Sequence, residues 1–416
     1  MTALAEHSPL VARTRRLDRD VDLIAVAGSD GVLIEHAGIG LAGRGEAVRI
    51  PLPTGPGRLT AAAAEVASVL DQIAADDEVG LPGCGPVAFA ALPFTDEAAG
   101  SVIVPALIVG RADDGTRWVT TVGPADHIGA VGDVVAPRRA GSMSTSFRVR
   151  STRPPSEWCD AVSAVVARLH ERDLVKVVLA REVVVEADEP IDVVDVLHRL
   201  RAAYPSTMLY SVDGLVGATP ELLVSRFGDV VRSHPFAGTT PRTGDPAADA
   251  RAAASLLASG KDRAEHQITI DMVLDTILPF CSYVDSEPEP TIVSLANVQH
   301  LASLVEGRLS SPPASALALV AALHPTPAVC GWPADQALEV IAELELLDRG
   351  RYTGAVGWVD ADGDGRFGVA IRCAEIEGGR ARLFAGNGIV IDSDPERELA
   401  ETQAKLQAML NAIIKP

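Results

Sequence analysis

The chain has 416 residues, 47% apolar and 22% charged, a globular composition long enough for one large domain or two to three small ones. Its 36 basic and 56 acidic residues leave a net charge of −20, the wrong sign for a nucleic-acid or anionic-membrane partner. A small anionic substrate fits only if local cations or a metal override that field.

Aromatics are few (8 Phe, 4 Trp and 4 Tyr), so the core must be built from Ala, Val, Leu and Ile. The five cysteines, Cys84, Cys159, Cys281, Cys330 and Cys373, are widely spaced and include no Cys-x-x-Cys pair. They read as buried thiols in a reducing cytoplasm. The first 20 residues carry scattered charges, and no apolar run reaches the ~18 residues of a spanning helix. We therefore expect a cytoplasmic monomer with neither a membrane nor a nucleic-acid partner.

In chain order, residues 1–150 are punctuated by Gly and Pro and hold short strand-like runs at Leu23–Ala27, Val87–Leu92, Val102–Val109 and Trp118–Val122. Gly38-Ile-Gly-Leu-Ala-Gly43 matches G-x-G-x-x-G, but no helix opens after it to receive a pyrophosphate, so it reads as a Gly-rich turn. Residues 136–157 read as a connector, and residues 156–416 as the second part of the molecule. Helical spacing predicts helices over Ser156–Arg172, Ile191–Ala203, Pro246–Ser259, Lys261–Leu278, Ser315–Leu323 and Pro333–Leu347. β-branched runs predict strands over Leu174–Val185, Thr207–Val212, Glu221–Phe227, Tyr352–Val359, Arg366–Ile376 and Ala381–Ile391. Asp360–Gly365 resembles the start of a calcium loop, but position twelve is Ile371 where a Glu is needed, so a hairpin turn is expected. A last helix starts at Asp394-Pro395, an acid cap and a proline at the first helical position. Runs of strands separated from runs of helices indicate an α+β fold with a large, mainly antiparallel sheet core and flanking helices.

Four clusters carry chemistry. Lys176 sits in a strand between Val and Leu neighbours, where desolvation favours the neutral amine that a general base needs. Glu221 follows a Pro turn and heads a strand, where apolar neighbours favour the protonated acid. Asp262 and Glu265, and likewise Glu398 and Glu401, are three apart on a helix, so each pair aims two carboxylates one way. Such oxygens suit Mg²⁺, which takes one or two carboxylates plus water and substrate oxygens. Arg372, in a strand whose alternation gives it small neighbours (Gly368, Ala370 and Ala374), and Lys405, four residues after Glu401, offer cations for carboxylates. Taken singly, each fits a plainer role: a snorkelling lysine, a solvated strand-end acid, solvated acidic helix faces, an ordinary Glu401–Lys405 ion pair. His266 reads as a structural hydrogen-bonder, since Mg²⁺ disfavours imidazole.

Their order is what distinguishes them. Lys-Val-Val-Leu-Ala-Arg181, Ala-Thr-Pro-Glu-Leu-Leu223, His234-Pro-Phe-Ala-Gly-Thr239, Lys-Asp-Arg-Ala-Glu-His266, His324-Pro-Thr-Pro-Ala-Val-Cys-Gly331, Gly386-Asn-Gly-Ile-Val390 and Glu398-Leu-Ala-Glu-Thr-x-x-Lys405 follow one another. This series resembles the chorismate-utilising enzymes, among them isochorismate synthase, salicylate synthase and anthranilate synthase component I, over about residues 156–412. The resemblance implies their fold and chorismate as the small-molecule partner. It implies Lys176 as the base that activates water and Glu221 as the acid that protonates the departing hydroxyl. Glu265 and Glu401 are then Mg²⁺ ligands supported by Asp262 and Glu398. Gly238, Thr239, Tyr352, Arg372, Gly386 and Lys405 become substrate-binding positions, with His324 and Ala328 near the reacting ring. Ala237 stands where aminodeoxychorismate synthases carry a nucleophilic Lys. Ala328 stands where lyase-type relatives usually have Thr, and Lys176 where anthranilate synthases usually have Gln. These features imply an isochorismate synthase, an isomerase feeding menaquinone or siderophore biosynthesis, with salicylate synthase as the alternative. Asn387 departs from the more usual Gly-Ala-Gly.

Overall fold

A computed structural model describes residues 9–126, 134–135, 144–171, 174–295 and 298–414. Two large sheets pack face to face, and helices cover both outer faces. The larger sheet has 13 strands. It runs from Phe147–Ser151 through Lys176–Ala187, Arg380–Ile389, Cys373–Glu377, Leu215–Thr219 and Met208–Val212 to Val32–His36, and ends at Leu10–Arg16 and Ala74–Asp77. The second, of nine strands, runs from Cys281–Ser286 through Leu222–Phe227, Gly365–Val369, Ala355–Asp360 and Val87–Ala91 to Val48–Pro51. A small third sheet joins Phe236–Pro241, Val298–Ala302 and Thr291–Ser294. Among the described residues, pairing is antiparallel except where Leu10–Arg16 meets Ala74–Asp77. Both large sheets take strands from either side of residue 150.

Strand alternation builds the layers. Val87, Phe89 and Ala91 face inward onto Ile34, Tyr210, Trp358 and Phe384, while Ala88 and Ala90 face outward onto the helices Arg58–Asp71 and Ala316–Leu323. On the other side, the helix Val193–Ala203 buries Val196, Leu197 and Leu200, and Asp192 caps it by accepting from the amides of Val194 and Asp195. The last helix, Pro395–Ile414, starts with Asp394 accepting from Arg397 N (3.0 Å) and buries Leu406, Met409 and Ile413 at helical spacing.

Several local readings are corrected. Leu23–Ala27 is a short helix instead of a strand, because Asp22 caps it (Ile24 N to Oδ1, 3.2 Å) and Gly28, at φ 63°, ends it. Only the start of Gly38–Gly43 is a turn: Ala37 and Gly38 have φ of 53° and 80°, the geometry of a tight hairpin, and Ile39–Arg44 is a strand. Val102–Val109 is two strands, Ser101–Val104 and Leu107–Arg111, in different sheets; Pro105 supplies no ladder donor and marks the change. Tyr352–Gly354 precedes its strand, which starts at Ala355. The connector is partly regular: Phe147–Ser151 is an edge strand, helix Pro155–Glu171 follows, and residues 136–143 lie outside the described residues, as does the predicted helix end Arg172. The Asp360–Gly365 hairpin is as expected: the Asp360 carboxylate accepts from the amides of Gly83 and Asp364. All five cysteines are free. No helix among the described residues is long and apolar enough to cross a membrane.

Candidate active site

Two neighbouring segments change sheets at one place. Leu215–Thr219 belongs to the larger sheet and Leu222–Phe227 to the second; Gly365–Val369 and Cys373–Glu377 make the reverse crossing beside them. Glu221 lies at the first crossing and Arg372 at the second. Regular strand alternation therefore does not orient Arg372, contrary to the sequence reading. Its backbone is left-handed (φ 53°), and its carbonyl is held by Ala218 N at 3.2 Å. A cavity of about 350 Å³ opens here, lined by Lys176, Glu221, Gly238, Thr239, Asp262, Glu265, Ala328, Tyr352, Arg372, Gly386, Glu398, Glu401 and Lys405.

Lys176 begins the long strand Lys176–Ala187 and is 6% exposed. Val177 and Leu179 point the other way, into the helices Pro155–Glu171 and Ala334–Leu344. Its ammonium donates to Glu265 Oε1 at 2.7 Å. Burial pushes the Glu265 carboxyl up, but the adjacent Lys176 charge outweighs it and holds the group below its ordinary range. Glu221 is 5% exposed, and burial pushes its carboxyl up to about 7 against the pull of Lys176 and Arg372. A lysine ion-paired with Glu265 and a high-pKa carboxyl thus face one cavity, so the desolvated, unpaired lysine expected from its apolar strand is not what the fold presents.

The helix Gly260–Ile277 is capped by Ser259, whose Oγ accepts from Asp262 N at 3.2 Å. This aims Asp262 and Glu265 at the cavity while His266, Ile270, Val273 and Ile277 enter the core. His266 is a structural hydrogen-bonder, paired with Ser303 Oγ at 2.9 Å and absent from the cavity wall. Facing this helix, Glu398 accepts from Ser393 Oγ (2.8 Å) and Asn387 Nδ2 (2.9 Å), and Glu401 accepts from Lys405 (2.7 Å). Burial raises the Glu398 carboxyl. Lys405 also donates to Gly386 O (3.0 Å) and Asn387 Oδ1 (2.5 Å), so all three of its protons are placed. Burial pushes its pKa down, with Glu401 opposing.

Gly238 has φ of 72° at a bulge, and a side chain there would press on Asp262. The Tyr352 ring stacks on Phe384 at 5.1 Å, and its hydroxyl lies over Gly386, where an added Cβ would stand 3.2 Å away. One expectation fails: His324 does not line the cavity. Its Nε2 is 3.0 Å from Phe94 O and its ring packs edge-on against Phe94, because the polar partner it finds is a backbone carbonyl behind the wall. In its place stands His300, which the sequence reading missed. Its Nδ1 lies 3.0 Å from Thr239 Oγ1 and its Nε2 3.5 Å from Arg372. Burial first, then Arg372 and Lys405, hold this imidazole neutral. The sequence signal was weak: a histidine in the mixed run Val298-Gln-His-Leu-Ala302, whose burial only the fold shows.

For a divalent cation the donor chemistry fits: four carboxylates from two facing helix ends, with no thiol or imidazole among them. Among the described residues no three ligand-type side chains converge as a ready cage. The lysines and Asn387 hold three of these acids apart, and the set suits a hard ion that takes two protein carboxylates and fills its shell with water and substrate oxygens.

A family model described as "Chorismate binding enzyme" matches residues 34–414. Isochorismate synthase DhbC of Bacillus subtilis is 38% identical over 341 residues, 79% of this chain and 81% of that protein. Isochorismate synthase EntC of Escherichia coli K12 is 41% identical over 282 residues, 66% of this chain and 72% of that protein. The solved structure of MenF, the menaquinone-specific isochorismate synthase of Escherichia coli, superposes with a TM-score of 0.81, covering 99% of this chain and 96% of that one; at 21% identity it speaks for the fold alone. This chain belongs to the chorismate-binding enzyme family.

Proposed function

We propose that this protein is an isochorismate synthase, an isomerase that moves the hydroxyl of chorismate from C4 to C2. The observation that carries the reading is that a buried lysine, Lys176, and a buried carboxyl with a pKa of about 7, Glu221, face one cavity bounded by carboxylates and cations. For this step Lys176 must first release to solvent the proton it holds against Glu265; water then adds at C2 and the neutral amine takes its proton. The double bond shifts, and Glu221 protonates the departing C4 hydroxyl, so one water enters and one leaves. Each such acid or base typically supplies ~10²–10⁴-fold. Arg372, Tyr352, Thr239 and the backbone at Gly238 and Gly386 orient the substrate carboxylates, Lys405 adds its positive charge and reaches a carboxylate only by giving up one of its present acceptors, and Ala328 bounds the ring. Glu265 and Glu401 would hold Mg²⁺, with Asp262 and Glu398 behind them. When bound, the ion supplies positive charge for the ring carboxylate in a protein of net charge −20.

The product would feed menaquinone or siderophore biosynthesis. The test is incubation with chorismate, with and without Mg²⁺, followed by product chromatography. Isochorismate formed only with the metal supports the reading, and Lys176→Ala should abolish it while leaving the fold intact. Accumulation of pyruvate and salicylate would reassign the protein as a salicylate synthase. Chorismate binding without turnover would make it a binding protein on this fold.

A further inference from the structure

The strand that carries Lys176 is incompletely paired. Arg380–Ile389 covers one edge from Val177 to Glu186. On the other edge Gly331–Trp332 covers Lys176 and Val177, Cys330 O accepts from Val178 N, and Phe147–Ser151 resumes only at Val183. In the gap, side chains stand in for a strand. Arg349 Nη2 donates to Val178 O (2.8 Å), Glu345 Oε2 accepts from Ala180 N (2.7 Å), and Trp158 Nε1 donates to Ala180 O (3.1 Å).

Arg349 and Glu345 form a two-pronged ion pair, both contacts 2.6 Å, with side chains 2% and 1% exposed. Every N–H of the guanidinium is used: two on Glu345, one on Val178 O, one on Val329 O (2.9 Å) and one on Thr353 Oγ1 (3.1 Å). Its carbon sits 4.3 Å over the Phe94 ring. The three acceptors outside the pair belong to three separate pieces of cavity wall: the Lys176 strand, the loop of Ala328 and Val329, and the turn of Tyr352 and Thr353. Thr353 has φ of 63°, a conformation that a β-branched residue keeps only when its surroundings impose it.

We propose that Arg349 and Glu345 are a positioning pair for the reaction, touching no substrate but fixing these three wall segments relative to one another. A lysine keeps the charge but cannot reproduce five directed donors. The kinetic arm rests on the isochorismate synthase reading; the exchange arm does not. In the full-length protein, Arg349→Lys should stay folded by circular dichroism, with kcat down ~10²-fold, the effect of a misplacement of about 1 Å, and a smaller change in KM. Hydrogen exchange should rise at the amides of Val178 and Ala180 but not in Leu222–Phe227. Arg349→Ala should recover part of its kcat on addition of methylguanidinium, which can refill the hole, whereas Arg349→Lys should not. Should Arg349→Ala not fold, Arg349→Lys and Glu345→Gln carry the same exchange and kinetic tests. Wild-type kcat in Arg349→Lys, or exchange unchanged at Ala180, would overturn the proposal. A wild-type protein inert toward chorismate that still shows the exchange pattern would overturn only the functional reading.

Discussion

Gly388 lies directly beneath the lysine assigned as the base, and a single methyl group there tests that assignment without removing any polar group. An alanine Cβ at this position would stand 2.2 Å from Lys176 Cε and 3.0 Å from Nζ. Carbon atoms in contact sit about 3.5–4.0 Å apart, so the end of the lysine must move by more than 1 Å. The backbone does not resist the substitution: Gly388 pairs in register with Val178 inside Arg380–Ile389 and is not among the residues with positive φ. The strain therefore falls on a flexible side chain, and the stability cost is mainly that of disrupting the largely buried Lys176–Glu265 pair, up to about 3 kcal/mol. The amine, however, leaves its 2.7 Å contact with Glu265 and its place in the cavity. A displacement of this size costs about 10²-fold in rate, and full loss of the base up to ~10⁴-fold. The assay is initial-rate isochorismate formation at saturating Mg²⁺, alongside a thermal melt. A folded Gly388→Ala enzyme with kcat within threefold of wild type would refute the assignment of Lys176 as a positioned base.

Three further outcomes are expected. Glu221 titrates near 7 when folded against an ordinary 4.5, so the folded state holds the extra proton between those values. Stability contributed below pH 4.5 is then lost as pH rises through about 7, by about 3 kcal/mol. Urea unfolding at pH 5 and pH 8 should show this slope reduced in Glu221→Gln, whose turnover should also fall; an unchanged slope would place the titration elsewhere. Glu401→Gln should weaken the Mg²⁺ dependence of activity, and a titration identical to wild type would remove Glu401 from the metal site. Ala328→Thr should divert product toward pyruvate, detected by coupled lactate dehydrogenase; an unaltered product profile would count against a role for this position in product choice.

The local elements were largely legible because their signals are local. Asp192, Ser259 and Asp394 cap the helices they precede, and the β-branched run from Lys176 is the strand expected. Reading failed where neighbours decide. Leu23–Ala27 looks extended as a five-residue apolar run, but Asp22 and Gly28 close it into a helical turn against the larger sheet. Arg366–Ile376 reads as one strand, yet it leaves one sheet and enters another, which no periodicity within the segment records. His324 was expected at the cavity and His300 overlooked for the same reason. An imidazole shows in sequence that it needs a polar partner, not whether that partner is Phe94 O behind the wall or Thr239 beside the cavity.

The sequence by itself determined the class of chemistry. It contains a lysine embedded in an apolar strand, a glutamate at a proline turn, two i, i+3 acid pairs and late cations, in an order that matches one family. Tertiary structure alone decided how these groups meet. Two chain crossings between sheets deliver Glu221 and Arg372 to the same cavity, Asn387 ties Glu398 to Lys405, and Arg349 with Glu345 closes a gap in the lysine's strand. The physical reason is that burial and pairing set the charge state and aim of each group, and both arise from contacts between residues far apart in the chain.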